Sequence, residues 1–378
     1  MIVKRKIQSR VEKEFFKGKI IIIYGARRVG KTTLIKEIQK NFPQQSVYFN
    51  CDEPGVRKSF ENTGSKELKD LIDDWRLVFI DEAQRVKNIG LTLKLIVDNF
   101  PHIQVVATGS SSFDLSNKIV EPLTGRKREF YLYPFSLLES ARLYSYERIK
   151  KSLEEKIIFG MYPEIVLEEK KKGKEVLLKE LSKSYLYKDI LQYQQVKNPE
   201  ILSKLLQALA LQIGNEVSYN ELAGLLKIDK KTVARYINLL EKAFVVFRLR
   251  PFSRNLRKEL SKLRKIYFYD TGIRNALINN LNPLDLRQDV GALWENFMIS
   301  ERIKNNFNLG TDFNYYFWRT HQKEKIDYLE EAGGKLFGFE FKWKNSRLRK
   351  PKTFIQTYPK SELKLINQDS FKDFLRLK

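Results

Sequence analysis

The stretch that most limits the architecture open to this chain runs from Ile20 to Thr33. Ile20, Ile21, Ile22, Ile23 and Tyr24 form an unbroken run with no polar face. Such a run reads as a strand buried on both sides, as in a parallel sheet covered by helices. Gly25-Ala26-Arg27-Arg28-Val29-Gly30-Lys31-Thr32-Thr33 follows directly and fits G-x-x-x-x-G-K-[ST]. In that pattern the glycines let backbone N–H groups wrap a phosphate chain, and the next helix points its N-terminus at it. Lys31 then reaches the β and γ phosphates, Thr32 offers a hydroxyl to Mg²⁺, and Thr33 to Lys40 continues as an amphipathic helix. The expectation is an α/β protein with a parallel sheet, a bound nucleoside triphosphate and Mg²⁺.

A second element fits the same chemistry. Leu77-Val78-Phe79-Ile80 is an apolar strand ending in Asp81 and Glu82, fifty residues beyond Lys31. Asp81 is expected beside the Mg²⁺ shell, and Glu82 is placed to polarise the water that attacks the γ-phosphate. Either carboxylate alone also reads as a solvated strand end. A third run, Ile103 to Ser110, ends in small hydroxyl residues. Thr108 there is a candidate sensor of the γ-phosphate, with an ordinary turn as the alternative. Arg126 precedes a strand-like run from Glu129 to Pro134 and is either a finger toward a neighbouring subunit's phosphate or a surface arginine.

Composition narrows the rest. The 378 residues exceed what one core usually serves. No apolar run approaches the roughly 20 residues that cross a bilayer, so no membrane partner is expected. The basic N-terminal segment lacks a secretory signal's apolar stretch, and a cytoplasmic location is expected by default. Cys51 is the only cysteine and His102 and His321 the only histidines, which excludes an intrachain disulfide and a Cys-rich zinc site. Chemistry must come from carboxylates, lysines, hydroxyls and bound cations. Seventy Lys and Arg against 46 Asp and Glu give a formal charge of +24. That surplus favours a polyanionic partner, DNA above all, the bland alternative being a lysine-rich proteome.

From Glu139 to Lys197 the chain is rich in Leu, Glu and Lys, read as helices forming a lid beside the nucleotide site, with Glu168 to Lys174 as an exposed loop. Ser218 and Glu221 form a capping box ahead of a helix with Leu222, Leu225 and Leu226 on one face. Asp229 caps a second helix whose apolar face is Val233, Ile237 and Leu240. This pair reads as a helix-turn-helix. The runs Ala243 to Leu249 and Ile266 to Tyr269 read as flanking strands around a wing rich in basic residues. With Lys230, Lys231 and Arg235 on the second helix, the module carries a footprint for DNA phosphates. Packing between domains is the alternative.

Toward the C-terminus, Tyr315–Arg319, Lys325–Glu330 and Lys335–Lys342 read as strands, with Gly333-Gly334 as a two-residue hairpin turn. Cross-strand partners then have numbers summing to 667, which sets Asp327 opposite Glu340 with Lys342 on the same face. The pattern resembles the core of restriction-type PD-(D/E)xK nucleases. That resemblance implies Mg²⁺ held by Asp327 and Glu340, Glu295 as a further member, and Lys342 activating water. The competing reading is a charged hairpin in an inactive relict.

GARRVGKTTLI, LVFIDEAQ, ATGSSS, LTGRKREFYLYPFSLLE and GMYPEIV occur in this order, with YLYKDI, LLEKAFVVFRL, KIYFYDTG and LWENFMISERI later. In these motifs the sequence resembles the archaeal and bacterial AAA-type ATPases that carry a C-terminal domain of unknown function with a nuclease-like end. The resemblance covers nearly the whole chain and implies a RecA-like sheet with ATP as nucleotide. Four modules are expected: a P-loop domain (1–138), a helical lid (139–200), a winged helix-turn-helix (201–270) and a restriction-endonuclease-like domain (271–378). The expected function is a Mg²⁺-dependent ATPase that couples nucleotide state to DNA engagement. A non-catalytic nucleotide switch that assembles with a protein partner or a second copy, and an ATP-gated nuclease, stand as alternatives.

Overall fold

A computed structural model describes residues 3–109, 123–191, 198–253, 264–311, 313–320, 322 and 324–377. Ser110 and the wing between 254 and 263 lie outside the described residues. The chain divides into two compact units: Ile2–Tyr133 with Lys242–Phe244, and Pro134–Glu241 with Val245–Lys378.

The first unit is built on β1 (Ile20–Gly25), β2 (Ser46–Asn50), β3 (Leu77–Asp81), β4 (Gln104–Gly109) and β5 (Lys127–Leu132). They form one sheet in the order β2-β3-β4-β1-β5, and every pairing is parallel. The apolar runs dictate this. Every residue of β1, β3 and β4 is buried, which only a sheet covered on both faces provides. Helices Lys31–Gln39, Ser65–Ile72 and Ile89–Asn99 bury Leu34, Ile35 and Ile38, Leu68 and Ile72, and Leu93 and Ile96 respectively.

The second unit begins with helices Tyr146–Lys151, Leu153–Phe159, Pro163–Leu167 and Lys171–Leu191. The expected loop from Glu168 to Lys174 is mostly the first turn of the last of these. Lys174 is buried and pairs with Glu155 at 2.6 Å, so a charge run that looked solvated holds two helices together. Next come helices Pro199–Leu211, Tyr219–Leu226 and Lys230–Lys242 with β6 (Glu216–Val217), β7 (Val246–Pro251) and β8 (Arg264–Phe268). Ser218 accepts the Glu221 N–H, and Asp229 accepts the Thr232 N–H at 2.8 Å. Val233, Ile237 and Leu240 are fully buried, whereas Leu225 is 65% exposed. The shared face expected for Leu222, Leu225 and Leu226 is therefore corrected: Leu222 alone of the three is fully buried.

β9 (Asn314–Arg319), β10 (Lys325–Ala332), β11 (Lys335–Phe341) and β12 (Glu362–Ile366) complete a seven-stranded sheet in the order β12-β11-β10-β9-β7-β8-β6. β7 pairs antiparallel with β8 and parallel with β9, so the small sheet of the helical segment and the C-terminal sheet are continuous. Gly333 and Gly334 both take positive φ, and Tyr328 to Ala332 pair with Phe339 to Lys335 in the 667 register. Helix Val290–Leu309 is buried along most of its length, and its Arg302 makes a bidentate ion pair with Glu330 at 2.8 and 2.7 Å.

Candidate functional site

Register brings the candidate site residues of the first unit to one edge of its sheet. Ile23 lies beside Thr108, Ile80 beside Ala107 and Asn50 beside Asp81. The carboxyl ends of β1, β2, β3 and β4 therefore coincide, where ligands of open parallel sheets bind. Gly25 ends β1 so close to β5 that a Cβ would sit 2.4 Å from the Leu132 carbonyl oxygen. Gly30 has φ 92° at the start of helix Lys31–Gln39, a left-handed turn natural to glycine. The loop between them closes on itself through Lys31, whose ammonium donates to the carbonyls of Gly25 at 3.0 Å and Ala26 at 3.1 Å.

Asp81 is the hub. Its Oδ2 accepts from Thr32 Oγ1 at 2.7 Å and from the Tyr48 hydroxyl at 2.8 Å. Its Oδ1 accepts from Thr108 Oγ1 and from the Glu82 N–H at 3.2 Å. Thr108 Oγ1 in turn accepts the Glu82 N–H at 3.2 Å. Glu82 sits at φ 52° at the strand end, where its side chain accepts from Gln84. Burial, reinforced by the Asp81 carboxylate, holds the Tyr48 phenol above its ordinary pKa. Burial also pushes the Cys51 thiol up to about 12.

The donors fit Mg²⁺. Thr32 and Asp81 offer hard oxygens side by side at the mouth of a phosphate-sized loop, and Mg²⁺ ordinarily takes its remaining ligands from phosphates and water. Lys31, Thr32, Asp81, Glu82 and Thr108 thus lie together. Arg126 does not. It precedes Lys127, the partner of Ile20 at the opposite end of β1, about 16 Å from Gly25 by strand rise. There it pairs with Asp98 at 2.7 Å, so a finger role would have to be played toward a second copy. Tyr48 and Gln84 join the site through Asp81 and Glu82 respectively. The signal for Tyr48 lies in the pairing of β2 with β3, which no local motif carries.

The C-terminal carboxylates are arranged differently. Asp327 is buried, lies 3.0 Å from the Lys325 ammonium and accepts the Phe341 N–H at 3.2 Å. Glu340 pairs with Lys342 at 3.1 Å. Glu295 accepts from Lys265 at 2.9 Å and from the Tyr267 hydroxyl. Burial raises the Glu295 carboxyl above the usual range, with Lys265 opposing and Asp327 adding to the effect. Among the described residues, no group of three His, Cys, Asp or Glu side chains is placed to hold a metal. Asp327, Glu295 and Glu340 all act electrostatically on the Lys325 ammonium. Lys325 and Lys342 each pair with one of these carboxylates, Asp327 and Glu340 respectively.

Residues 17–141 match a family described as an AAA domain. Residues 150–284 and 290–373 match two domains of unknown function (DUF8612 and DUF4143). An uncharacterized protein of Methanocaldococcus jannaschii is 27% identical over 350 residues, 86% of this chain and 75% of its own length. One from Mycobacterium tuberculosis is 26% identical over 347 residues, 90% of this chain and 74% of its own. The crystal structure of Pif1 helicase from Candida albicans overlays with a TM-score of 0.27 at 18% identity, over 40% of this chain and 44% of that one, too low a score to carry the fold. The family matches support an AAA-type nucleotide-binding ATPase with a C-terminal domain of unknown function. No helix among the described residues is long and apolar enough to cross a membrane.

Proposed function

We propose that this chain is a Mg²⁺-dependent ATPase that couples ATP binding and hydrolysis to DNA engagement. The observation that carries the ATPase reading is the convergence of Thr32, Tyr48 and Thr108 on the Asp81 carboxylate beside the loop Gly25 to Thr33. Thr32 and Asp81 would hold Mg²⁺, which supplies charge neutralisation at the phosphates when bound. Backbone N–H groups of the loop cradle the phosphate chain and Lys31 leaves its two carbonyl partners for the β and γ oxygens. Glu82 accepts a proton from the attacking water, and Thr108 fixes the Glu82 backbone so that its carboxylate faces that water.

The DNA part of the reading rests on charge. We assign helix Lys230–Lys242 as the recognition helix of a winged helix, with Lys230, Lys231 and Arg235 all exposed and thus available to phosphates. The test is the steady-state ATP hydrolysis rate with and without duplex DNA. The expected result is stimulation several-fold in the wild type, largely lost in Lys230→Glu/Lys231→Glu while the DNA-free rate is unchanged. A rate indifferent to DNA in both proteins contradicts the coupling.

A further inference from the structure

Lys4, Arg5 and Lys6 stand in a row, yet of the three only Arg5 is buried, at 6% exposure, between buried Val3 and Ile7. Burying a charge is costly unless hydrogen bonds replace its hydration. Arg5 finds two. Its Nη1 donates to the Val29 carbonyl at 2.7 Å and its Nη2 to the Tyr133 carbonyl at 2.7 Å. Val29 lies inside the loop Gly25 to Thr33, and Tyr133 directly follows β5. The near end of the loop already rests on that strand, because Gly25 pairs with Leu132 so closely that a Cβ has no room. One guanidinium therefore ties the far end of the loop to the strand that supports its near end.

We propose that Arg5 is a positioning residue of the nucleotide site, which presents the Gly30 N–H to the phosphate chain without touching the nucleotide itself. The Val29 carbonyl and the Gly30 N–H belong to one planar trans peptide and point opposite ways. A bond that fixes the carbonyl toward Arg5 thereby fixes the N–H away from it. Gly30 stands immediately before Lys31 at φ 92°, and in G-x-x-x-x-G-K-[ST] loops the N–H groups there receive phosphate oxygens. A cation on the carbonyl side also polarises the peptide, which makes its N–H a stronger donor. The rigid fork of arginine suits two carbonyls held at once, as the point charge of lysine does not. This inference rests on the ATP reading above.

Calorimetric titration of the full chain with ADP and Mg²⁺, joined to steady-state ATP hydrolysis, tests this in wild type, Arg5→Met and Val11→Ala. Val11 is fully buried on the neighbouring helix Gln8–Glu12, so its truncation loosens the same segment and leaves the guanidinium in place. The expected result is that Arg5→Met weakens ADP binding and raises the KM for ATP alike, about tenfold or more, while kcat stays within about threefold. Val11→Ala is expected to melt at a lower temperature and to bind ADP within about twofold of wild type. Wild-type affinity in Arg5→Met, a fall in kcat with KM unchanged, or an equal loss of affinity in Val11→Ala would each overturn the proposal. The last would show that packing of the segment is responsible and not its cation. If Arg5→Met does not melt cooperatively, Arg5→Gln, which keeps one amide donor in place of the fork, is read against the same outcomes. The wild type separates the two failures. Absence of ADP and ATP binding there removes the nucleotide reading and this inference with it, whereas wild-type binding that Arg5→Met retains removes the inference alone.

Discussion

Asp81 shows how much one carboxylate is asked to do. Three hydroxyls, those of Thr32, Tyr48 and Thr108, converge on its two oxygens, and the metal it would hold must share it with them. Tyr48 is a positioning residue in this arrangement, because its ring belongs to β2 and its hydroxyl fixes the rotation of Asp81. Tyr48→Phe is therefore expected to raise the Mg²⁺ concentration for half-maximal ATP hydrolysis several-fold while changing the rate at saturating Mg²⁺ less. A lower saturating rate with an unchanged Mg²⁺ requirement would show that Tyr48 only packs. At this scale Lys31, Thr32, Asp81 and Glu82 were legible because their chemistry is local: a loop follows its strand, and two carboxylates end another. Tyr48 was not, since only the pairing of Asn50 with Asp81 brings it in.

At the scale of elements, short helices and strand pairing decide which faces are buried. The helix Tyr219–Leu226 is eight residues long, too short for three leucines to define its inner face, and Leu225 turned out exposed. The hairpin register was legible because Gly333-Gly334 leaves one pairing open. The irregularity between Ile326 and Leu329 opposite β9 was not, and no sequence signal announced that lysines would sit on the carboxylates. Helix Val290–Leu309 is anchored by Asp289, which accepts from Arg274 and from Arg287 at 2.9 Å. Burial pushes the Asp289 carboxyl up, but the two guanidiniums outweigh it and hold it at about 2. A carboxyl depressed from its ordinary value of about 4 stabilises the fold above that pH and loses its contribution as pH falls toward 2. Asp289→Asn is expected to melt at a lower temperature than wild type near neutrality, with the gap closing between about pH 4 and 2. A gap that stays constant across that window would rule out the ion pairs as its source.

For the whole molecule, the chain divides into two compact units. Within the second of these, the parallel pairing of β7 with β9 makes a small sheet continuous with a large one. Long-range parallel pairing leaves no mark in local periodicity, so this continuity of the two sheets was not legible in the sequence. The ATP site, by contrast, is built from strand ends of one unit, and the account stands or falls there. The most direct measurement is ATP binding and single-turnover hydrolysis for wild type, Lys31→Ala and Glu82→Gln, with Mg²⁺ present. The prediction is that Lys31→Ala fails to bind ATP, while Glu82→Gln binds it as wild type does and hydrolyses it at least about a hundredfold more slowly. Wild-type turnover in both variants would contradict the account.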